Sequence, residues 1–284
     1  MKLTVPAYAK LNYTLDVLER REDGYHEMRM VMVSADLKDR VTIETDTGGE
    51  MRIKTNLRYL PSDGRNLAVR AAVLFQQETG IDLNGADIEI RKNVPVCAGM
   101  AGGSSDAAAV LRGLNEMTGA GISLPDLARM GKALGADVPY CVMGGTMLAE
   151  GIGERLTPLR AVPKCHVVIC KPRFSTSTAQ AFAALDRCKV RNHPDTEGML
   201  AAIERGDLNG IARRLYNVFE PQETKRHKTL RELRSLLIQN GALGACMTGT
   251  GPSMFGLFAD GRTASRAAAV LRENCQNVYL TKIV

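Results

Sequence analysis

A glycine-rich turn that leads directly into an amphipathic helix pattern constrains this chain more than any other stretch. Residues 98–109 read AGMAGGSSDAAA, and apolar residues then recur every three or four positions up to Met117. Glycine lets the backbone turn sharply and approach a ligand closely, and the unpaired N–H groups of a helix N-terminus attract anions. An ordinary capped turn is the alternative. The stretch predicts a helix from Ser105 to Met117 that stops at Gly119, with a candidate phosphate site at its start.

The turn matches neither of the common glycine motifs of nucleotide-binding proteins. Lys-Ser or Lys-Thr nowhere follows the G-x-x-x-x-G spacing of a Walker A loop, and the stretch is not a dinucleotide fingerprint. Backbone N–H groups and two hydroxyls beside a helix dipole nevertheless suit a triphosphate. The residues alone therefore indicate a phosphate site without identifying its ligand.

Strand and helix patterns do not alternate strictly along the chain. Alternating apolar residues predict strands, and apolar residues at helical spacing predict helices. The predicted strands are 11–18, 28–34, 41–45, 51–55 and 87–92, with strand-like segments at 253–258 and 277–284. The further predicted helices are 66–79 before a stop at Gly80, 125–134 after a cap at Ser123, and 229–241. This order favours an α+β protein over a doubly wound sheet.

A proline-flanked polar link, PLRAVPK at 158–164, separates two halves of the chain. The apolar run CHVVICK begins directly after it. A chain of 284 residues is long enough for two domains of medium size. We therefore expect an N-terminal domain at 1–160 and a C-terminal domain at 161–284.

Composition excludes several classes of protein. With 45% hydrophobic and 24% charged residues the chain is ordinary for a globular protein. The net charge of +6 is scattered and aromatics make up 5%, which favours a solvated surface, or attraction to small polyanions, over a nucleic-acid partner. The lack of an apolar leader or membrane-length run predicts a cytoplasmic protein with no membrane partner. Seven dispersed cysteines without a C-x-x-C pair predict reduced thiols and no protein-bound metal site.

Two polar residues within mainly apolar segments are candidates for chemistry. Lys10 in PAYAKLN is either a surface lysine with a buried stem or a fixed cation for a transferring phosphoryl group. Asp137 in GADVPYC is either a turn residue or helix cap or a group that orients or deprotonates an alcohol. Neither residue decides between its alternatives alone.

Two further stretches combine glycine with polar or aromatic residues. REDGYHEM, at 21–28, places Tyr25 and His26 where they begin a strand or else stack on and hydrogen-bond a base. MTGTGPSMFGLF, at 247–258, is a second glycine-rich loop that enters a strand. It is either a strained turn or a loop that lies against a substrate near its phosphates.

Together these stretches resemble the GHMP kinase superfamily. PAYAKLN is similar to its first motif, PVCAGMAGGSSDAAA to the second and MTGTGPSMFGLF to the third, in the expected order. The resemblance spans almost the whole chain and implies a two-domain α+β fold. Its N-terminal domain would be a nucleotide-binding α/β domain and its C-terminal domain a ferredoxin-like substrate domain. The resemblance also implies an ATP-dependent kinase acting on an alcohol, with Mg²⁺ bridging phosphate oxygens.

Two stretches are similar to one branch of the superfamily, which acts in the non-mevalonate route to isoprenoid precursors. These are AKLNYTLDVLERREDGYHEM and GADVPYCVMGGTMLAEGIGE. The branch implies a cytidylyl methylerythritol as small-molecule partner, phosphorylated by ATP on its 2-hydroxyl. The alternatives are a mevalonate or homoserine kinase, whose acceptors carry no base, and a non-catalytic nucleotide-binding regulator. We expect a monomer or a weak homodimer.

The resemblance also implies roles for individual residues. Lys10 and Asp137 match the catalytic pair, in which Asp137 would accept the hydroxyl proton while Lys10 keeps Asp137 ionised and neutralises phosphoryl charge. The expected ATP-binding residues are Pro95, Val96, Cys97, Ala98, Gly99, Met100, Ala101, Gly102, Gly103, Ser104 and Ser105, with Asn66 and Lys92 toward the adenosine. The expected substrate-binding residues are Asn12, Tyr25, His26, Thr178, Phe182, Gly249 and Gly251.

The second motif departs from the superfamily's common form at one position that matters for the backbone. The common form has Leu-Gly-Gly-Gly before the serines, whereas this chain has Met100, Ala101, Gly102 and Gly103. A residue with a Cβ adopts a positive φ only at a cost. We therefore expect Ala101 to lie in the negative-φ region, with the anion site intact.

Overall fold

The computed structural model describes residues 1–188 and 190–284 of the chain. Its strands are β1 (Lys2–Arg20), β2 (His26–Thr45), β3 (Met51–Thr55), β4 (Ala86–Arg91), β5 (Thr146–Gly151), β6 (Arg155–Pro158), β7 (His166–Lys171), β8 (Tyr216–Asn217), β9 (Gly244–Met247), β10 (Met254–Phe258) and β11 (Asn277–Lys282). Its helices are α1 (Leu67–Thr79), α2 (Gly102–Thr118), α3 (Leu124–Gly131), α4 (Val138–Met143), α5 (Thr178–Leu185), α6 (Thr196–Glu204), α7 (Leu208–Ala212), α8 (Glu220–Arg226), α9 (Lys228–Gln239) and α10 (Gly261–Asn274). Within these ranges, no helix combines the length and the apolar character needed to cross a membrane.

The first two strands are longer than the sequence pattern predicts. The predicted strand 11–18 lies inside β1, whose earlier part buries Val5, Ala7 and Ala9. Alanine is uncommon in strands, so this part of the alternation is hard to recognise in the sequence. The predicted strands 28–34 and 41–45 are parts of the continuous strand β2.

Helix α1 forms where local signals predict it. The side chain of Asn66 caps its start by accepting a hydrogen bond from the Ala68 N–H at 3.1 Å. Its C-terminus is closed by Gly80 in the left-handed conformation, with φ of 69°. Glycine adopts that conformation without the steric cost of a Cβ, so this boundary can be read from sequence. The prediction is confirmed.

Helices α2 and α3 confirm one predicted end each and differ at the other. Helix α2 stops before Gly119 as predicted, but it starts at Gly102, three residues before the predicted Ser105. Helix α3 follows the predicted cap Ser123 and ends at Gly131 rather than at residue 134. Residues 132–134 form turns after α3. The apolar periodicity therefore extends beyond the regular helix, which is why the predicted end is too late.

The described chain divides into two compact units that are not separated by one cut in the sequence. Unit 1 comprises residues 1–9, 38–96 and 101–144, and unit 2 comprises residues 10–37, 97–100 and 145–284. The units therefore differ from the predicted domains 1–160 and 161–284, because residues 10–37, 97–100 and 145–160 belong to unit 2.

Unit 1 is a sheet covered by helices. Residues 40–45 of β2 pair antiparallel with β4, and β3 pairs parallel with β4 on its other side. The inward face of β2 and β4 carries Ile43, Ile88 and Ile90, all buried. Gly113 of α2 lies directly over Ile43, where a Cβ would come within 2.6 Å of the Ile43 Cδ1. The glycine thus lets α2 approach the sheet closely.

Unit 2 contains an antiparallel sheet with strand order β11-β7-β10-β9. Helices α5 to α9 lie between β7 and β9 in the chain, and α10 lies between β10 and β11. This order, fourth-first-third-second, is that of a ferredoxin-like fold, and it confirms the expected C-terminal architecture. In the same unit, residues 28–33 of β2 pair with β5, and β1 pairs parallel with β8 at Thr14 and Leu15.

Candidate functional site

The loop that carries the second motif, residues 95–105, is called the phosphate loop below. Within this loop Ala101, the residue before α2, adopts the left-handed conformation, with φ of 56° and ψ of 29°. The expectation of a negative φ at Ala101 is therefore wrong. Cys97 also has a positive φ, of 51°. A left-handed alanine costs about 1–2 kcal/mol, and such strain persists where surrounding contacts fix the backbone.

The start of α2 places three backbone N–H groups ahead of its first helical hydrogen bond, at the end of the phosphate loop. The first helical hydrogen bond runs from the Ser105 N–H to the Ala101 carbonyl at 2.8 Å, so the N–H groups of Gly102, Gly103 and Ser104 precede it. Such groups, with the helix dipole, attract anions. The Ser105 hydroxyl instead donates to the Tyr8 carbonyl at 2.7 Å. Of the two predicted hydroxyls, Ser105 therefore anchors the helix, while Ser104 stays half-exposed.

In unit 2, the middle of the phosphate loop touches the second glycine-rich loop. A Cβ on Gly99 would lie 2.2 Å from the Thr248 carbonyl oxygen, and one on Gly249 would lie 2.6 Å from the Gly99 carbonyl oxygen. Both distances are too short for real atoms, so glycine is required at both positions. The Thr248 hydroxyl donates to the Gly99 carbonyl at 3.2 Å. The structure thus brings two of the predicted loops into direct contact.

Lys10 and Asn12 lie beside these loops in unit 2. The Lys10 ammonium donates to Asn12 Oδ1 at 3.0 Å, and the Lys10 N–H donates to the Met100 carbonyl at 3.1 Å. Asn12 Oδ1 also accepts from the Gly249 N–H at 3.0 Å. Lys10 is 4% exposed, so it is not the surface lysine of the alternative interpretation. The first and third motifs are therefore joined through one amide side chain.

Asn217 holds the same loop and was missed by sequence analysis. Its side-chain amide donates to the carbonyls of Met247 and Gly249, both at 2.8 Å, and its own oxygen accepts from the Phe219 N–H at 2.9 Å. Asn217 lies in the two-residue strand β8, outside every motif, so no local signal could have identified it. Its buried amide fixes the loop that contains the predicted residues Gly249 and Gly251.

Asp137 lies in unit 1, at the residue before α4, and is half-buried. Its side chain makes no capping bond to α4 in the described structure, which distinguishes it from an ordinary helix cap. The guanidinium of Arg112 on α2 donates to the carbonyls of Cys141 at 2.5 Å and Pro6 at 2.9 Å. Arg112, which sequence analysis also missed, therefore anchors the short helix that follows Asp137.

An aromatic cluster in unit 2 joins two of the predicted substrate-binding residues. The rings of His26 and Phe182 stack, with centroids 4.7 Å apart, and Phe182 meets Phe219 edge to face at 5.0 Å. His26 Nε2 is 2.6 Å from Asp186 Oδ1. Tyr25, next to this cluster in sequence, is 59% exposed. Asp186 was not predicted, since it lies 160 residues from its partner.

The remaining predicted site residues divide between the two units. Thr178 begins α5 in unit 2, with its hydroxyl 3.2 Å from that of Thr250. Asn66 and Lys92 lie in unit 1, and Asn66 uses its side chain to cap α1 and to donate to the Pro61 carbonyl. The contacts of Asn66 and Lys92 with adenosine stay predictions.

Lys92 belongs to a buried charged cluster that we call the neck cluster: Asp39, Lys92 and Asp106. The Lys92 ammonium is 2.5 Å from Asp39 Oδ2 and 2.6 Å from Asp106 Oδ2. All three side chains are at most 6% exposed. Burial alone would lower the pKa of Lys92, but the two carboxylates raise it. The lysine therefore keeps its charge.

Asp106 carries the unusual ionisation of the neck cluster. Burial, helped by the negative charge of Asp39, raises the pKa of Asp106 to about 7, and the attraction of Lys92 limits that rise. Within the described residues, Asp106 Oδ1 has no hydrogen-bond partner. Two carboxylates share one ammonium, so protonation of Asp106 makes the cluster neutral.

We expect the substitution Asp106→Asn to remove a pH dependence of stability. The ordinary pKa is 3.8 and the folded value about 7, so between them the folded protein holds a proton that the unfolded chain has lost. This stabilisation is complete below the unfolded pKa and is lost as pH rises toward 7. The free energy of unfolding of the wild type should fall, relative to Asp106→Asn, by about 1.4 kcal/mol per pH unit between about pH 5 and 6.5. Urea titrations at several pH values measure it.

Asp63→Asn is a control because the pKa of Asp63 is shifted in the opposite direction to that of Asp106. Hydrogen bonds from Arg65 lower the pKa of Asp63 to about 2, so its contribution is lost only as pH falls below the ordinary value. A difference between wild type and Asp106→Asn that stays constant from pH 5 to 6.5 would contradict the raised pKa.

The described residues contain no group of three or more His, Cys, Asp or Glu side chains that could hold a metal ion. Divalent ions in phosphoryl transfer are often held through substrate phosphates and water rather than by a full protein cage.

Comparison with known proteins identifies the class. The family model described as "GHMP kinases N terminal domain" matches residues 66–145, and that described as "GHMP kinases C terminal" matches residues 199–277. A homoserine kinase structure from Cytophaga hutchinsonii has a TM-score of 0.78 and 18% identity, covering 99% of this chain and 95% of that chain. At that identity the likeness shows the fold alone. The fold is thus that of the GHMP kinases.

Closer relatives define the family within this class. A 4-diphosphocytidyl-2-C-methyl-D-erythritol kinase from Caldicellulosiruptor saccharolyticus is 42% identical over 279 residues, 98% of this chain and 96% of that protein. A solved 4-(cytidine 5'-diphospho)-2C-methyl-D-erythritol kinase has a TM-score of 0.82 and 32% identity, covering 100% of this chain and 99% of that chain. The chain belongs to the 4-diphosphocytidyl-2-C-methyl-D-erythritol kinase family. It is an ATP-dependent kinase.

Proposed function

We propose that this chain transfers the γ-phosphoryl group of ATP to the 2-hydroxyl of 4-diphosphocytidyl-2-C-methyl-D-erythritol, giving the 2-phosphate and ADP. The observation that carries the choice of acceptor is the stacked pair His26 and Phe182, with Asp186 holding the imidazole. Homoserine and mevalonate have no base for such a cluster to recognise. This chain shares its fold with a homoserine kinase, so the fold does not identify the acceptor. The aromatic cluster is the feature that favours an acceptor with a base.

The start of α2 fits the phosphates of ATP. The N–H groups of Gly102, Gly103 and Ser104 precede the first helical bond, and an anion there would also gain from the helix dipole. We assign Mg²⁺ to the phosphate oxygens of ATP, where it would supply positive charge to the transferring group. The residues of the loop position the donor and contribute no proton transfer.

Asp137 and Lys10 supply the chemistry on the protein side. The acceptor is a crowded tertiary alcohol of low acidity, so positioning and charge stabilisation dominate its reaction. Asp137 accepts the proton of the 2-hydroxyl as it attacks. The buried ammonium of Lys10, held at 3.0 Å from Asn12 Oδ1, stabilises negative charge that develops on the phosphoryl oxygens.

The aromatic cluster suits the Watson–Crick edge of cytosine. An ionised Asp186 only accepts hydrogen bonds, so His26 Nε2 carries a proton toward it. In the neutral imidazole, Nδ1 is then an acceptor, and the exocyclic amine of cytosine is a matching donor. The exposed ring of Tyr25 offers a face on which the base can stack.

We expect His26→Ala and Tyr25→Ala to raise KM for the cytidylyl substrate while KM for ATP changes little. Loss of a stacking or hydrogen-bonding contact to a base costs about 1–3 kcal/mol, or roughly five- to 150-fold in KM. Steady-state kinetics with each substrate varied in turn measure the two constants.

His227→Ala is a matched control for His26→Ala. His227 also stacks on a phenylalanine, Phe174, with ring centroids 4.0 Å apart, so the control removes an equivalent ring pair elsewhere in unit 2. A parallel rise of both KM values in His26→Ala would indicate a general structural defect and count against base recognition.

We also propose that the enzyme works in the cytoplasm. The cysteines of the described chain are free, with Cys97 and Cys188 exposed. Free exposed thiols are typical of a reducing compartment, which is also where an ATP-dependent kinase finds its donor.

A further inference from the structure

The neck cluster lies at the two ends of the phosphate loop, within unit 1. At the entering end, Asp39 Oδ1 accepts the N–H groups of Asn93 at 2.5 Å and Val94 at 2.8 Å. The same carboxylate binds the Lys92 ammonium through Oδ2. One buried acceptor thus fixes three consecutive residues directly before the loop.

The leaving end of the loop is fixed through the same ammonium. Lys92 Nζ binds Asp106 Oδ2 at 2.6 Å, and Asp106 lies in the second turn of α2. A Cβ on Gly102 would lie 3.3 Å from Lys92 Nζ, so the first residue of α2 sits against the ammonium. Lys92 therefore bridges the strand end and the helix start.

The backbone of Lys92 is fixed independently of its side chain. Its N–H donates to Asn56 Oδ1 at 2.8 Å, and its carbonyl accepts from Asn56 Nδ2 at 3.2 Å. The side chain is 3% exposed. A lysine fixed at both ends acts as a rigid spacer between β4 and α2, and nothing in this role requires the ammonium to reach a ligand.

We propose that Lys92 is a positioning residue for the kinase reaction: it ties the two ends of the phosphate loop together and so sets where the N–H groups of Gly102, Gly103 and Ser104 meet the ATP phosphates, without touching the nucleotide. The proposal deepens the proposed function, because it rests on ATP phosphates binding at this loop. It replaces the predicted adenosine contact of Lys92 with an indirect role in phosphate binding.

The test compares the two halves of ATP as separate probes. Binding of inorganic tripolyphosphate and of adenosine is measured by calorimetry for the wild type and for Lys92→Met. A displacement of about 1 Å in a positioned group can cost roughly a hundredfold, so tripolyphosphate affinity should fall at least tenfold while adenosine affinity stays within twofold. KM for ATP should rise by a similar factor, and KM for the cytidylyl substrate should not change.

Two further variants keep the result interpretable. Lys92→Met leaves two buried carboxylates together and can fail to fold, so Lys92→Met/Asp106→Asn is measured beside it. That double variant breaks the bridge to α2 and removes one of the two buried carboxylates, while Asp39 keeps its two backbone N–H donors. Lys54→Met makes the same chemical change at an exposed position of β3 in the same unit, and it should bind both probes like the wild type.

Several outcomes would overturn the positioning role. Loss of adenosine affinity with unchanged tripolyphosphate affinity would make Lys92 a direct adenosine contact. Equal losses for both probes in the folded double variant, or no loss for either, would also contradict it. Because the probes are bound and not turned over, wild-type protein that binds them but releases no ADP with the cytidylyl substrate would defeat the proposed function alone.

Discussion

Replacing Asp137 by Asn is expected to lower kcat by about 10² to 10⁴-fold, the usual contribution of a general base, while KM for ATP stays nearly unchanged. Asn has the same shape as Asp but does not accept the proton of the attacking hydroxyl. The helix that Asp137 precedes is held by backbone bonds, including Cys141 N–H to the Asp137 carbonyl at 3.1 Å, and by Arg112. These contacts survive the substitution, so the loss should be confined to the chemical step.

Asp126→Asn is the matched control for this prediction. Asp126 lies near the start of another helix of unit 1, in the first turn of α3, and it is exposed. It should turn over at the wild-type rate. An Asp137→Asn variant with near wild-type kcat would exclude Asp137 as the base, and a rise in KM for ATP without loss of kcat would assign it to nucleotide binding.

Replacing Asp39 by Asn should cause a much larger loss of stability than the substitution of a surface carboxylate. Asp39 accepts three donors, the ammonium of Lys92 and the N–H groups of Asn93 and Val94. An amide has only one accepting atom, so its NH₂ group must face at least one of these donors. Removing one partner of a buried ion pair typically costs about 3–5 kcal/mol. We expect a loss near the lower limit, because Asp106 still neutralises Lys92. Urea unfolding measures the change.

Asp87→Asn tests whether burial is the cause. Asp87 pairs with Arg52 at 2.7 Å on the exposed surface of the same unit, and surface pairs contribute about 1 kcal/mol or less. Equal losses in Asp39→Asn and Asp87→Asn would show that the neck cluster contributes no more than a surface ion pair.

Boundaries set by local contacts could be predicted from the sequence. Asn66 and Gly80 delimit α1 through bonds within a few residues of each end, and Gly119 ends α2 in the same way. The second glycine-rich loop and the phosphate loop were found because glycine marks close backbone approach, which the structure shows between Gly99 and Gly249.

Features set by distant residues could not be predicted. Alanine disfavours the left-handed conformation that Ala101 adopts, so the sequence predicts the opposite. The contacts of the folded protein fix that conformation. Lys92 looks like any lysine after a strand, because its partners Asp39 and Asp106 are 53 and 14 residues away. Asn217 has no motif around it, and its role follows only from the loop that it holds.

The most direct test of the proposed function is the release of ADP by the wild-type protein with three alcohols in parallel: the cytidylyl methylerythritol, mevalonate and homoserine. A coupled assay with ATP and Mg²⁺ gives the rate for each acceptor. We predict rapid release with the cytidylyl methylerythritol and rates at the ATP-only background with the other two. Release with mevalonate or homoserine at an equal or higher rate, or background release with all three, would contradict the proposed function.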